Sequence, residues 1–272
     1  MKKAIAIMLA AMLAVTVFAG CTKKGGESSA APAGSTDATS TESSSASPAT
    51  VEEGKLIMVT EAGFAPYEYY EGQDVVGVDV DIAKEIAAAM GKELVVKDIA
   101  FDSIIPEINA GKADIGAAGM SITPERLEEV DFTIEYATSK QVIVVKKDNT
   151  AIKNPEDIKG KKIAVQLGTV ADIVVTDEYP DSTIIQQKKY LAAAEDVKSG
   201  KADCIVMDAL PAQELVKANS ELVILEKELF TDKYGMAVKK GNKALLDQVN
   251  TILQKLMDEG KIEEFTLNHT SK

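Results

Sequence analysis

Apolar residues along the body of the chain alternate between two periods, and this alternation predicts an α/β fold. Short runs rich in Val, Ile and Leu, at 56–60, 94–100 and 115–118, are typical of buried strands. Between them apolar positions recur at helical spacing, as from Ile82 to Met90, where Gly91 ends the helix. This β-α-β-α-β order predicts a parallel-rich sheet with helices on both faces.

The same order occurs a second time. The tetrapeptide Gly-Lys-Ala-Asp occupies 111–114 and again 200–203, and an aromatic residue, Phe101 or Tyr190, precedes each copy at the same distance. Two similar α/β halves are the simplest account. A strand over 234–238 and two C-terminal helices then complete the predicted body.

Several conspicuous residues have a structural interpretation. Asp79 and Asp81 precede a helical stripe and suit helix N-caps. Cys204 lies in an apolar run and is expected to be a buried small hydrophobe. His269, the only histidine, is expected to lie in a polar tail after the last helix and to have no role.

The stretch from Gly119 to Arg126 predicts a strand end that leads directly into a helix. Ser121 or Thr123 can cap the helix, and Pro124 suits its first position. A helix N-terminus favours an anion, and the planar guanidinium of Arg126 matches a carboxylate in two-point geometry. The alternative is an ordinary strand-turn-helix corner with a solvated Arg126.

Other strand ends supply complementary groups. Asp208 directly follows the apolar run at 204–207, and Glu61 and Phe64 lie in the loop after the first strand. Ligands of open α/β sheets bind at the carboxyl ends of strands. Arg126 for an anion, Asp208 and Glu61 for cations, and Phe64 and Phe101 as apolar walls together suit a zwitterion.

Little in the chain favours catalysis. With His269 set aside there is no histidine for a general base, no Cys/His zinc cluster, no Walker glycine loop and no EF-hand spacing. We therefore expect no catalytic residues, no cofactor and no metal. The formal net charge of −13 argues against nucleic acid or an anionic lipid surface as a partner.

The N-terminal segment predicts an extracytoplasmic, lipid-anchored protein. Two lysines and an apolar run too short to span a bilayer make 1–20 a signal peptide. The small residues before Cys21 resemble a lipobox, in which the cysteine is acylated, although Phe18 departs from the usual Leu. Residues 21–50, rich in Ser and Thr, read as a disordered tether. The alternative is a plain secretory signal.

Four segments together resemble the polar amino-acid solute-binding proteins of ABC importers, and in particular the lipid-anchored members with a Ser-rich tether. They are 61–68 (EAGFAPYE), 76–81 (VGVDVD), 119–126 (GMSITPER) and 130–133 (VDFT). The resemblance covers about 55–267. It implies a type II periplasmic-binding-protein-like fold, with lobe 1 at 51–141 plus 233–272, lobe 2 at 142–232, and two strands crossing as a hinge.

The resemblance also implies partners and a mechanism. A free amino acid would bind in the cleft, the lobes would close over it, and permease subunits with a cytoplasmic ATPase would receive it. We expect a monomer held to the extracytoplasmic face of the cell membrane through Cys21.

Residue by residue, the resemblance implies a carboxylate subsite, an ammonium subsite and a side-chain subsite. Arg126, helped by backbone N–H groups of Ser121 and of Thr169 or Val170, would hold the carboxylate. The ammonium would lie against Asp208, Ser121 and the Gly119 carbonyl. Phe64 and Phe101 would sandwich the side chain, and its outer end would meet Glu61, Ala118, Gln166 and Met207.

Glu61 favours a ligand with a cationic side chain, arginine or lysine. Gln166, Ala118 and Met207 fit glutamine, cystine or histidine as well.

Three rival interpretations of the chain are considered. The first is a cyclohexadienyl-dehydratase-like enzyme. The second is a lytic transglycosylase, which needs a further domain, and the third is the sensor module of a receptor kinase or channel, which needs transmembrane segments.

Overall fold

The computed structural model describes residues 50–270 and arranges them around two large β-sheets. The predicted signal peptide, Cys21 and nearly all of the tether lie outside the described residues, and what was expected of them stays a prediction. The strands are β1 (Lys55–Thr60), β2 (Tyr69–Glu71), β3 (Asp74–Val76), β4 (Glu93–Asp98), β5 (Ile115–Gly116), β6 (Val130–Phe132), β7 (Ala137–Lys146), β8 (Lys162–Gln166), β9 (Thr183–Gln187), β10 (Cys204–Asp208), β11 (Leu222–Ile224), β12 (Phe230–Tyr234) and β13 (Ala237–Lys239). The α-helices are α1 (Val78–Ala89), α2 (Ile104–Asn109), α3 (Pro124–Glu129), α4 (Val170–Glu178), α5 (Tyr190–Lys198), α6 (Ala209–Ala218), α7 (Lys243–Asp258) and α8 (Lys261–Thr270).

The first sheet has the order β4-β1-β5-β13-β6, with β4, β1 and β5 parallel and β13 antiparallel to both its neighbours. Side chains alternate across it because a strand has a period of two. Leu56 and Met58 pack with Ile82 of α1, whereas Ile57 packs with Ile104 of α2. The sheet therefore carries helices on both faces, as predicted. We call this sheet and its helices the first lobe.

The second sheet has the order β11-β7-β10-β8-β9, and β12 also pairs with β7. Strands β10, β8 and β9 are parallel, and β7 is antiparallel to β10. Ile143 and Val165 pack on one face, and Val144 and Ala164 on the other. This sheet with its helices is the second lobe, so the α/β prediction is confirmed.

The repeated tetrapeptide performs the same task in both lobes. Asp114 Oδ2 accepts the Ile57 N–H at 2.7 Å, and Asp203 Oδ2 accepts the Lys162 N–H at 2.8 Å. Each aspartate also donates its backbone N–H to the carbonyl of that same partner residue. The carboxylate therefore aligns a parallel strand with its neighbour, which supports the expectation of two similar halves.

The chain passes twice between the lobes, from β6 to β7 and from β12 to β13. One strand over 234–238 was expected, and that expectation is wrong, because β12 belongs to the second sheet and β13 to the first. Gly235 lies at the crossing, where a Cβ atom would come 2.9 Å from Ile122 Cδ1 and 3.2 Å from Phe132 Cδ1. The lobe limits at 141/142 and 232/233 stay a prediction.

His269 lies inside α8, so the predicted position in a polar tail after the last helix is wrong. Its Nδ1 is 2.9 Å from the Tyr69 hydroxyl, and its Nε2 is 2.8 Å from Asp81 Oδ2. The imidazole thereby joins the last helix to β2 and α1. The N-cap expectation also fails, because Gly77 occupies the cap of α1 and both Asp79 and Asp81 lie within its first turn.

Cys204 is buried, as expected, and burial raises the pKa of its thiol to about 12. Within residues 50–270 no helix combines the length and apolar character needed to cross a bilayer.

Candidate functional site

The carboxyl ends of β1, β5, β8 and β10 converge on an enclosed cavity of about 10 Å³. It has room for about one water molecule, so an amino acid enters only if the surrounding groups move. Both lobes contribute to its wall, which consists of Glu61, Phe64, Glu68, Phe101, Ala118, Gly119, Ser121, Gln166, Thr169, Val170 and Asp208.

The structure brings the predicted site residues together, with two displaced from the cavity wall. Arg126 lines an adjoining cavity of about 310 Å³, together with Phe101 and Gly168. Met207 is buried in the core beside Asp208 and does not line the cavity. Glu68 does line it, although the sequence provides no sign of this.

Arg126 is the only arginine in the chain, and it is 6% exposed. Thr123 caps α3 by accepting the Arg126 backbone N–H, and Pro124 begins the helix as predicted. The guanidinium lies over the Phe101 ring, 5.4 Å from its centroid. It donates to the Ser121 carbonyl at 2.6 Å and to the Gly168 carbonyl at 2.9 Å. The alternative of a solvated Arg126 is therefore excluded.

Burial lowers the pKa of Arg126 to about 10, against the opposing effect of Asp232 and Asp208. The group stays charged at neutral pH. A buried guanidinium whose bonds go to neutral carbonyls can exchange them for a carboxylate, which it binds more strongly.

Asp208 ends β10 and lies almost fully buried. Its Oδ1 accepts hydrogen bonds from Ser139 Oγ at 2.7 Å and from the Tyr234 hydroxyl. Burial, and secondarily the neighbouring Asp232, raises the pKa of Asp208 to about 6. Asp232 in turn accepts a hydrogen bond from Ser121 Oγ, and burial also raises its pKa.

Glu61 follows β1 directly and is 2% exposed. The second lobe supplies its partners: Gln166 Nε2 donates to Oε2 at 2.9 Å, and Lys189 Nζ lies 2.7 Å from Oε1. Gln166 Nε2 also donates to the Lys188 carbonyl at 2.9 Å. Gly63 is tightly fitted here, since a Cβ atom would lie 2.9 Å from Glu61 Oε1.

Aromatic rings form one wall of the cavity. Phe64 stacks on Tyr190, with centroids 5.8 Å apart, and on Tyr67 at 5.9 Å. Gly119, with φ of 50°, leaves room for this arrangement, because a Cβ atom there would lie 2.6 Å from Phe64 Cε1. Phe101 faces Arg126 instead. The two phenylalanines thus approach the cavity from different sides.

The predicted backbone donors are at the N-terminus of α4. Thr169 caps this helix by accepting the Asp172 N–H, and its own N–H makes a 3.3 Å bond to the Gln166 carbonyl. Val170 is the first helical residue, whose N–H has no partner within the helix. Of the two, Val170 is the better placed donor.

Two acids were not predicted as site residues: Glu68 in the cavity wall and Asp79 behind it. Glu68 is fully buried and neither of its oxygens has a well-directed hydrogen bond. Burial, and then Asp79, raises its pKa well above the usual value. Asp79 accepts the Gly119 N–H at 2.8 Å and the Tyr136 hydroxyl at 2.7 Å, and burial raises its pKa to about 6.

The site therefore combines one buried guanidinium with several buried carboxyls. The residues concerned are Arg126 on one side and Glu61, Glu68, Asp79 and Asp208 on the other. Burial favours the neutral form of Glu68, and Lys189 already pairs with Glu61, so the set suits a zwitterion. Among residues 50–270 no cluster of three or more His, Cys, Asp or Glu is arranged to hold a metal ion.

Residues 56–270 match the family model of the bacterial extracellular solute-binding proteins, family 3. The chain belongs to this family. It is 33% identical over 216 residues to the arginine-binding extracellular protein ArtP of Bacillus subtilis, covering 77% of this chain and 84% of that protein. Other similar proteins are named for binding glutamine, histidine or L-cystine.

Solved structures with the type II two-lobe fold are similar to the structure of this solute-binding protein. A P235GK mutant of ArgBP from T. maritima is 38% identical, with a TM-score of 0.77 over 80% of this chain and 96% of that one. An ancestral arginine-binding protein bound to glutamine is 36% identical, with a TM-score of 0.76 over 81% and 100%. These relatives place the chain among the substrate-binding components of amino-acid ABC transport.

Proposed function

We propose that this protein captures a free cationic L-amino acid, arginine before lysine, outside the cell membrane and delivers it to an ABC permease. The observation that carries the proposal is that two buried acids, Glu61 and Asp208, line the cavity that adjoins Arg126. Arginine would bring a carboxylate for the guanidinium and two cationic groups for the acids. Buried charges are tolerated only when paired, so a ligand that supplies the missing cations gains most from this cavity.

The proposed arrangement assigns each part of the ligand to a different wall. Arg126 would exchange its bonds to the Ser121 and Gly168 carbonyls for the α-carboxylate, with Val170 N–H as a further donor. Asp208 and the Gly119 carbonyl would hold the α-ammonium. Phe64 and Phe101 would flank the side chain, whose end would reach Glu61 beside Ala118 and Gln166, with Met207 packed behind.

Transport would follow from closure of the lobes. The small cavity volume requires an opening movement to admit a ligand, and the two crossings between the lobes are where such a movement would bend. We further propose that acylated Cys21 anchors a monomeric protein to the extracytoplasmic face, and that it needs no cofactor.

The named relatives support a cationic ligand. ArtP is named for binding arginine and ArgBP of T. maritima is known in an arginine-bound form, and each covers most of the described body. An ancestral arginine-binding protein is known bound to arginine and bound to glutamine, so the relatives also support glutamine as the second candidate.

Isothermal titration of the purified protein with arginine, lysine, ornithine, glutamine, histidine and cystine tests the proposal. We expect arginine to bind most tightly, and Glu61→Gln to weaken it at least tenfold while leaving glutamine within about threefold. Glu53→Gln, the same change at an exposed glutamate, is the matched control. Tight binding of glutamine or cystine alone would overturn the cationic assignment and leave the transport role intact.

A binding role without catalysis completes the proposal. Incubation with prephenate or arogenate should leave both compounds unchanged, and conversion of either would favour the dehydratase alternative.

Glutamine is the second candidate ligand, because the ion pair of Lys189 with Glu61 already supplies a positive charge at the side-chain end.

A further inference from the structure

The contact between Lys189 and Glu61 joins a half-exposed side chain to a buried one. Lys189 Nζ lies 2.7 Å from Glu61 Oε1, yet the Lys189 side chain is 48% exposed and that of Glu61 only 2%. The backbone of Lys189 is fixed at the N-cap of α5, next to the buried Tyr190. Only the flexible stem therefore carries the ammonium from the surface to the wall of the cavity.

This ammonium contacts the carboxylate that the proposed function assigns to the end of the ligand side chain. Glu61 lines the cavity, and its other oxygen is already taken by Gln166. Glu61 Oε1 is buried and makes no other hydrogen bond, so a ligand cation that approaches this oxygen meets the ammonium of Lys189. The two cations are therefore in competition for one carboxylate oxygen.

A second carboxylate, that of Asp98, lies close enough to bind the displaced ammonium. Asp98 Oδ2 lies 3.9 Å from Lys189 Nζ and accepts a hydrogen bond from the Tyr70 hydroxyl at 3.1 Å. Asp98 is more exposed than Glu61. Partial burial lowers the pKa of Lys189, but Glu61 and Asp98 raise it more, so the ammonium remains charged in either position.

We propose that Lys189 is a specificity-determining residue, which lowers the affinity for amino acids with a cationic end and spares those with a neutral end. The inference rests on the proposed function. A cationic ligand has to displace Lys189 from Glu61, so its apparent affinity is reduced by the fraction of molecules in which the pair is open. A neutral amide can bind beside the intact pair.

The test compares Lys189→Met, which keeps the aliphatic stem and removes the charge, with the native protein. The ligands are arginine, its neutral isostere citrulline, and glutamine, each measured by isothermal titration. Lys188→Met is the matched control, because it removes the same charge from the adjacent exposed residue. Lys189→Arg keeps a cation at the contact.

We expect Lys189→Met to tighten arginine binding by about 3- to 5-fold, the upper part of the range of a partly exposed ion pair, with no gain for citrulline or glutamine. Lys188→Met and Lys189→Arg should stay within about threefold of the native protein for all three ligands. Equal tightening of all three ligands, or unchanged arginine affinity in Lys189→Met, would overturn the inference.

The same titrations separate the two proposals. If arginine binds the native protein and Lys189→Met behaves like Lys188→Met, the inference about Lys189 fails and the proposed function stands. If the native protein binds none of the three ligands, the proposed function fails and the inference with it.

Discussion

Arg126 Nη2 donates a hydrogen bond of 2.9 Å to the carbonyl oxygen of Gly168. Arg126 belongs to α3 of the first lobe, whereas Gly168 precedes α4 of the second. Gly168 has φ of 79°, a conformation that suits glycine and turns its carbonyl toward the guanidinium. One side chain thus links the two lobes at the place where we propose that the ligand carboxylate binds.

The first prediction concerns Arg126 itself. Arg126→Ala should weaken arginine binding at least 100-fold, because a buried carboxylate would lose its charged partner, a loss of roughly 2–5 kcal/mol. Asp208→Ala should weaken it by a similar factor from the ammonium side. Titration calorimetry measures both, with circular dichroism to confirm that each variant is folded. A change below about threefold would remove that residue from the site.

The second prediction is that arginine affinity falls on acidification. The pKa of Asp208 is raised to about 6, and only the ionised form can hold an ammonium. Between pH 7.5 and 5 the affinity should therefore decrease, by up to about tenfold per unit once the pH is below 6. Asp208→Asn should bind weakly at pH 7.5 and lose most of this slope. A native affinity that is flat over the range would contradict the assignment of Asp208.

The third prediction is that the stability of the ligand-free protein increases on acidification, whereas its arginine affinity falls. The pKa of buried Asp79 is raised to about 6, so the folded state holds a proton that the unfolded chain has already lost. The resulting stability is fully present below about pH 4 and disappears as the pH rises through 6, a contribution of about 3 kcal/mol.

Urea unfolding at pH 5 and pH 7.5 measures this effect. We expect a larger free energy of unfolding at pH 5, and a smaller difference between the two values in Glu68→Gln, because the raised pKa of Glu68 acts in the same direction. Equal or lower stability of the native protein at pH 5 would show that these carboxyls ionise normally.

The fourth prediction uses the tight fit of Gly63 against Glu61. In Gly63→Ala the new methyl group would lie 2.9 Å from Glu61 Oε1, so the carboxylate has to move. Arginine binding should weaken several-fold, while glutamine binding changes little. Gly72→Ala is a control for the loss of a loop glycine, because a methyl group there would have no neighbour within 4 Å, although the φ of 68° adds strain. Equal losses for arginine and glutamine would indicate a general distortion.

The sequence allowed much of this site to be predicted because its residues follow strands. Glu61, Gly119, Gln166 and Asp208 each end or follow a buried apolar run, and parallel strands present their carboxyl ends at one edge. Met207 shows the limit of the argument, since the residue before Asp208 points into the core.

The residues whose roles the sequence does not reveal depend on contacts between segments that are far apart in the sequence. Lys189 meets Glu61, and His269 meets Tyr69 and Asp81, only because separate elements pack together. Asp79 looked like a cap because its position in the first turn is visible in the sequence, whereas its bond to Gly119 is not. One available signal was overlooked: a chain that otherwise uses lysine contains a single arginine.

That solitary arginine also gives the protein a built-in reporter. An arginine-specific protease can cut this chain only after Arg126, at a bond inside α3 whose arginine side chain is almost fully enclosed. Cleavage into two fragments therefore requires that the guanidinium leave Gly168 and that the helix unwind locally. The rate of this one scission would follow cleft opening without any label, and a ligand that holds the lobes together would slow it.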